Sequence, residues 1–216
     1  MNGRFITFEG TEGGGKSTQI ALLAERLKAR GLAVRQLREP GGTPIGEEIR
    51  HTLKHSHQNH AMTAEAELLL MNASRAQLVR EVIRPALAAG EVILCDRFYH
   101  STLAYQGYGR QLDLATVRQV IDLAVGATRP DLTLLFHVSP EVSEARRLAR
   151  QPNLPFNLQR DRFEESDRAF FERVAAGYAA IARDEPERVR VIDASLPVEA
   201  VRAAIWREVE TCLAGR

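Results

Sequence analysis

The stretch Gly10-Thr11-Glu12-Gly13-Gly14-Gly15-Lys16-Ser17 satisfies every fixed position of the pattern G-x-x-x-x-G-K-S. Its flanks agree with it. The apolar run Phe5-Ile6-Thr7-Phe8 has the character of a buried strand, and Ser17 opens a helical pattern carried by Ile20, Leu22, Leu23 and Leu27. Strand, glycine-rich loop and helix in that order are the setting a phosphate-binding loop requires. Its glycines let backbone N–H groups turn inward around phosphate oxygens. Lys16 adds a point charge near the β- and γ-phosphates, and the Ser17 hydroxyl can hold Mg²⁺. A glycine-rich turn with a chance lysine does not account for so many positions in register. The loop therefore predicts a nucleoside triphosphate site made of residues 10–17, with Thr18 following on the helix.

Outward from the loop, the chain of 216 residues suits a single α/β domain, expected to span 1–216 with a small mobile insert. The apolar fraction of 44% and charged fraction of 26% are ordinary for a globular protein. A net charge of +1 gives no bias toward nucleic acid or a membrane surface, so neither is expected as a partner. No apolar stretch approaches transmembrane length, and no signal-peptide pattern precedes the first strand. Cys95 and Cys212 lack metal or disulfide spacing. A reducing, cytoplasmic setting is the simple expectation. Lysine is confined to Lys16, Lys28 and Lys54 while arginine is abundant, so a lone arginine says little and Lys16 stands out.

Short, continuous apolar runs predict strands at Arg4–Glu9, Leu32–Leu37, Glu91–Cys95, Leu132–Val138 and Val189–Ile192. Runs of that kind belong to parallel sheets covered on both faces. Helical periodicity predicts Ser17–Arg30, Ile45–Leu53, Ala64–Ala89, Leu114–Val125, Glu141–Arg150, Glu164–Arg183 and Val198–Leu213. Gly31 and Gly90 sit at expected helix C-caps, and Pro140 and Pro197 at helix starts. Strands alternating with helices predict a doubly wound five-stranded parallel sheet of α/β class. Gln151–Gln159, flanked by arginines, reads as a flexible loop.

The strand Val92-Ile93-Leu94-Cys95 ends in Asp96. In a parallel sheet that acid emerges at the same edge as the phosphate loop, where it can orient Mg²⁺ or its waters beside Ser17. Arg97 brings a guanidinium to the same edge, able to clamp a second phosphate. His55, His57 and His60 lie between two helical patterns without accompanying acids or cysteines, so they are given no metal role. His137, Tyr178, Phe170 and Phe171 read as core.

Three further segments carry a specific likeness: Arg38-Glu39-Pro40-Gly41-Gly42-Thr43, the run from Asp96-Arg97-Phe98 through Tyr105-Gln106-Gly107 to Arg110, and Asp161-Arg162-Phe163-Glu164. In this order and spacing the chain resembles the bacterial thymidylate kinase family over nearly its whole length. The resemblance implies a P-loop nucleoside-monophosphate kinase with a lid at about 150–163, moving the γ-phosphoryl of ATP to dTMP to give dTDP and ADP. It implies Mg²⁺ at Ser17 and Asp96, and an ATP site formed by the loop, Arg150 and the Asp193-Ala194-Ser195 segment. It implies that Arg97 and Arg50 hold the dTMP phosphate, that Arg75 hydrogen-bonds the thymine carbonyl, and that Thr102 and Gln106 complete the base pocket. Tyr105 would crowd the 2′ position, Glu39 and Pro40 would line the base, and Glu12 would meet the acceptor sugar. A homodimer is also implied.

The variable loop positions Thr11, Glu12, Gly13 and Gly14 include no arginine, which matches the subtype that draws positive charge from the lid. Arg150, Arg160 and Arg162 flank the flexible stretch, and Arg162 lies inside the motif. The catalytic group expected is therefore Lys16, Arg97, Glu12 and Arg162. One position departs from the family pattern: Met71 stands where phenylalanine usually stacks on thymine, four residues before Arg75. The i,i+4 spacing keeps both on one helix face, and a thioether can still lie on an aromatic ring. The departure leaves a same-fold kinase with another acceptor, such as dUMP, as an alternative. A non-catalytic switch is disfavoured, since an acceptor-side set would then have no purpose.

Overall fold

A computed structural model describes residues 3–56, 59–139, 142, 143, 145, 146 and 167–215. The expected lid at 150–163, with Arg150, Arg160 and Arg162, lies outside the described residues, as do most of the helix expected at 141–150 and the beginning of the one expected at 164. Five parallel strands form one sheet: β1 (Arg4–Gly10), β2 (Val34–Arg38), β3 (Val92–Asp96), β4 (Leu132–His137) and β5 (Val189–Asp193), in the order β2-β3-β1-β4-β5. The register sets Phe8 opposite Asp96 and Gly10 opposite Phe136, so β1 and β3 end at one edge with the loop between them.

Alternation along β1 explains why its run carries apolar side chains on both faces. Phe5 points into one core with Leu68, Leu78, Val117, Ile121, Val174 and Tyr178, from the helices α3 (Ala64–Leu78), α6 (Leu114–Val125) and α7 (Arg168–Asp184). Ile6 and Phe8 point into the other, with Ile20, Leu23, Leu27, Val201, Ile205 and Val209, from α1 (Lys16–Ala29) and α8 (Val198–Ala214). A strand covered on both faces has no polar side to show. Gly31 and Gly90 have φ of 80° and 82°, the left-handed conformation that suits the ends of α1 and of the short α4 (Arg84–Ala88).

Two departures from the periodic reading lie beside the site. The helix expected to run from Ala64 to Ala89 is interrupted by wider π turns over Val79–Ile83, between α3 and α4. The segment after β3, for which periodicity suggests no element, is helical: α5 (Tyr99–Thr102) leads into π turns over Leu103–Gly109. Arg110 N donates to Tyr105 O at 2.8 Å, an i→i−5 bond. Buried residues occur all round this segment, so it carries no amphipathic stripe to read. α7 presses on it closely. A Cβ on Gly177 would stand 2.7 Å from the Tyr108 ring, and one on Gly109 would stand 2.6 Å from Phe170. His137, read as core, instead ends β4 exposed.

Candidate active site

The loop begins where β1 stops. Gly10 has φ 124°, and a Cβ there would lie 2.4 Å from Phe136 O, so only glycine lets the chain leave the sheet here. Gly15 at φ 85° caps α1 without any side-chain acceptor on the first helical N–H groups, which leaves the donor end of the helix to an anion. Glu12 O accepts from Ser143 Oγ at 2.6 Å, tying the loop to the segment after β4. Thr11, Glu12, Gly13 and Gly14 lie between these anchors, and Thr18 is exposed in the first turn of α1.

Lys16 is buried and folds back on its own loop, with Nζ donating to Gly10 O at 3.1 Å and Thr11 O at 2.8 Å. Burial lowers its pKa to about 7. The nearby Arg97 charge pushes the same way, against Asp96, Glu12 and Glu9. Ser17 Oγ donates to Asp96 Oδ2 at 3.2 Å, across the edge between α1 and β3. The second oxygen, Asp96 Oδ1, is sealed from solvent and has no hydrogen-bond partner among the described residues. A hydroxyl beside a carboxylate with a free oxygen is a hard-oxygen donor pair suited to Mg²⁺.

Arg97 occupies a left-handed conformation, φ 69°, uncommon for a branched or bulky side chain and typical of functional turns. Its NH1 donates to Ser101 Oγ at 3.1 Å and to Tyr178 OH at 3.3 Å. NH2 donates to Tyr105 OH at 3.4 Å. Behind these hydroxyls lies Glu9, fully buried in β1, accepting from Phe98 N at 2.8 Å, Ser101 Oγ at 2.5 Å and Tyr178 OH at 3.1 Å. The sequence reading gave Glu9 and Ser101 no role and took Tyr178 as core, which it also is, at 4% exposed. An acid inside an apolar strand was the one available signal.

The third cluster surrounds Arg75, buried on α3. Nε donates to Glu39 Oε2 at 2.8 Å, NH1 to Asn72 Oδ1 at 2.8 Å and to Thr102 Oγ1 at 3.0 Å, and NH2 to Phe98 O at 3.2 Å. Glu39 is buried too, and its Oε1 is a second sealed, unpartnered oxygen. Burial raises its pKa to about 7 against the pull of Arg75. Pro40 follows across a cis peptide, and its carbonyl accepts at 2.9 Å from NH1 of Arg50, which lies on α2 (Pro44–Lys54). Gln106 Nε2 donates to Glu67 Oε1 at 2.7 Å, and Met71 packs half-buried against the core on the same helix as Arg75. Thus Glu39, Pro40, Arg50, Arg75 and Thr102 form one connected group. Tyr105 joins it to Arg97 along the segment after β3.

At the far side of the loop, Ala194 is buried just past β5, and its N donates to His137 O at 2.9 Å. Arg146 NH1 donates to Ala194 O at 2.7 Å. Arg146 is a further residue that sequence reasoning did not single out, hidden in the general abundance of arginine.

The family model for thymidylate kinase matches residues 8–205. A thymidylate kinase of Alcanivorax borkumensis is 49% identical over 210 residues, covering 97% of each chain. One from Exiguobacterium sp. is 46% identical over 202 residues, covering 94% of this chain and 92% of the relative. Among solved structures, a thymidylate kinase from Ehrlichia chaffeensis superposes with a TM-score of 0.76 at 31% identity, over 97% of this chain and 99% of the other.

Proposed function

The chain belongs to the thymidylate kinase family and transfers a phosphoryl group from ATP to dTMP, and from that premise we propose how its residues divide the work. The observation that carries the proposal is that Lys16 and Arg97 stand at the same edge of the sheet. β1 leads into the loop that carries Lys16, β3 ends with Asp96 opposite Phe8, Arg97 N donates to Phe8 O at 2.9 Å, and Ser17 Oγ donates to Asp96 Oδ2 at 3.2 Å. Two cations at one edge, one on the phosphate loop and one just before α5, fit a donor and an acceptor phosphate brought together.

In this reading residues 10–18 and Ala194 hold ATP, with the free N–H groups of α1 and Lys16 on its phosphates. Arg97 and Arg50 hold the dTMP phosphate. Glu39, Pro40, Met71, Arg75, Thr102, Tyr105 and Gln106 enclose its nucleoside, and Glu12 meets the acceptor sugar. Phosphoryl transfer needs alignment and neutralised charge more than covalent help. Ser101 and Tyr178, fixed by Glu9, keep Arg97 from collapsing onto a carboxylate and hold it toward phosphate. Ser17 and Asp96 would hold Mg²⁺, which kinases of this family generally use with ATP and which supplies charge neutralisation at the phosphates. Arg162 and Arg150 of the lid would add the positive charge that the loop lacks.

We also take residues 1–216 as one domain with a lid at about 150–163, working in the cytoplasm as a homodimer. No helix among the described residues is long and apolar enough to cross a membrane. Leu69 on α3 and Leu123 on α6, two helices that pack together, are 59% and 78% exposed, apolar side chains that a second copy would cover. Sedimentation at micromolar concentration tests the dimer. The function is tested by ADP release with ATP and Mg²⁺ over dTMP, dUMP, UMP, dCMP and thymidine. dTMP is expected to be the best acceptor, and a different winner would overturn the acceptor assignment.

A further inference from the structure

We propose that Glu67 is a specificity-determining positioning residue: it fixes the sense of the Gln106 side-chain amide so that Gln106 offers an acceptor, not a donor, to the acceptor base. The inference rests on the base-pocket reading of Gln106 given above.

Glu67 lies on α3 with its side chain fully buried, an unusual place for a carboxylate, and it is the partner of two groups on the segment after β3. Gln106 Nε2 donates to Oε1 at 2.7 Å. Arg110 closes on the same carboxylate, Nε at 3.3 Å from Oε1 and NH2 at 3.2 Å from Oε2. Arg110 is itself held over the Phe170 ring at 4.6 Å. The carboxylate is thus pinned from one side and aimed at Gln106 from the other.

The two ends of a glutamine amide have nearly the same shape, and which end faces a ligand is decided by its hydrogen-bond partners. A carboxylate paired with arginine can only accept, so the NH₂ end of Gln106 must face Glu67. Oε1 is then the other arm of the amide. It receives no hydrogen bond from any described residue, and it is not among the sealed, unpartnered atoms, which are Glu39 Oε1 and Asp96 Oδ1. Gln106 is only 1% exposed, so the amide has little room to turn and compromise.

An accepting oxygen selects a base whose ring nitrogen carries a proton. Thymine and uracil present N3–H, whereas cytosine presents a bare N3 that would meet Oε1 lone pair to lone pair. Leaving a buried polar group unpaired is what makes such a site reject the wrong ligand. Glu67 never touches the base in this account; it acts through Gln106.

The test compares kcat/KM for dTMP with that for its N3-methyl derivative, in the wild type and in Glu67→Gln, whose neutral amide no longer dictates the sense of Gln106. The ratio is expected to fall about fivefold to tenfold in the variant, through a higher KM for dTMP with kcat nearly kept. A purely structural role lowers both substrates in parallel and leaves the ratio alone, which would overturn the proposal. A wild type indifferent to the N3-methyl group would overturn the base-pocket reading itself, and this inference with it. Should Glu67→Gln fail to fold, a crystal structure of the wild type with dTMP decides. N3 is expected within about 3.2 Å of Gln106 Oε1 while Nε2 stays on Glu67; N3 out of reach, or Gln106 swung off Glu67, would refute it.

Discussion

Arg75 NH2 lies 2.7 Å from Glu39 Oε2, with side chains only 2% and 3% exposed, so that α3 and the end of β2 are joined by an enclosed ion pair. With Asn72, Thr102 and Phe98 taking its remaining donors, Arg75 has no N–H pointing into open space. A thymine carbonyl would share a donor now resting on a protein oxygen. Removing Glu39 strands a buried guanidinium. Glu39→Ala is therefore expected to lose about 3–5 kcal/mol in denaturant unfolding, and Glu39→Gln, which keeps an acceptor, less. The pH dependence has a definite sign. The folded carboxyl, raised to about 7, binds a proton that the unfolded one, near 4.5, has released. Its contribution favours the folded state most below pH 4.5 and is lost as pH rises through 7. Glu39→Gln should flatten that window of the stability profile, and an unchanged slope would show that Glu39 does not titrate there.

Asp96 offers the corresponding prediction for the metal. Its Oδ2 holds the Ser17 hydroxyl, and its Oδ1 is sealed and unpartnered. Asp96→Asn keeps the shape and removes the charge. The Mg²⁺ concentration for half-maximal activity should rise about 10–100-fold. A titration curve superimposable on wild type would remove Asp96 from the metal site.

The parts of this site that were legible in the sequence are those written in local chemistry. The loop, the acid ending β3 and the arginine after it can be read because strand, glycine and charge stand within a few residues of one another. Glu9, Ser101 and Tyr178 could not be read that way, since they meet only when β1, α5 and α7 are packed together. The segment Tyr99–Gly109 hid for a related reason. It is buried on several sides and wound partly as π turns, so the period of 3.6 that betrays a surface helix is missing. Arg146 shows the opposite difficulty: in a chain so rich in arginine, identity alone carried no information.

Met71 is where this chain departs from the pattern its relatives' resemblance suggested, and the fold keeps the position meaningful. It sits half-buried on α3 one turn before Arg75. If the thioether covers the base, Met71→Phe should lower the KM for dTMP by a few-fold, consistent with about 0.3–1.5 kcal/mol for sulfur–aromatic contact against a ring pair. Steady-state kinetics at saturating ATP read this directly. An unchanged KM would mean that Met71 serves only the core.

Lys16 gives a prediction that links the loop to proton uptake. Burial and the Arg97 charge bring its pKa to about 7, so at pH 8 most of the free protein carries a neutral amine. Nucleotide phosphates arriving beside it restore the advantage of the ammonium. Binding of a non-hydrolysable ATP analogue at pH 8 should then take up close to one proton. Calorimetry in two buffers of different ionisation enthalpy measures this. Affinity should decline between pH 7 and 9 by up to about tenfold per unit, while Lys16→Arg, charged throughout, should show a flat profile. Stability follows the same linkage. Between pH 7 and 10.5 the unfolded chain holds a proton that the folded chain has released, so this residue penalises folding below pH 7 and the penalty is relieved as pH rises to 10.5. Binding enthalpies independent of buffer at pH 8 would place the Lys16 pKa well above that pH. The two cations would then already share the site as full charges before any phosphate enters.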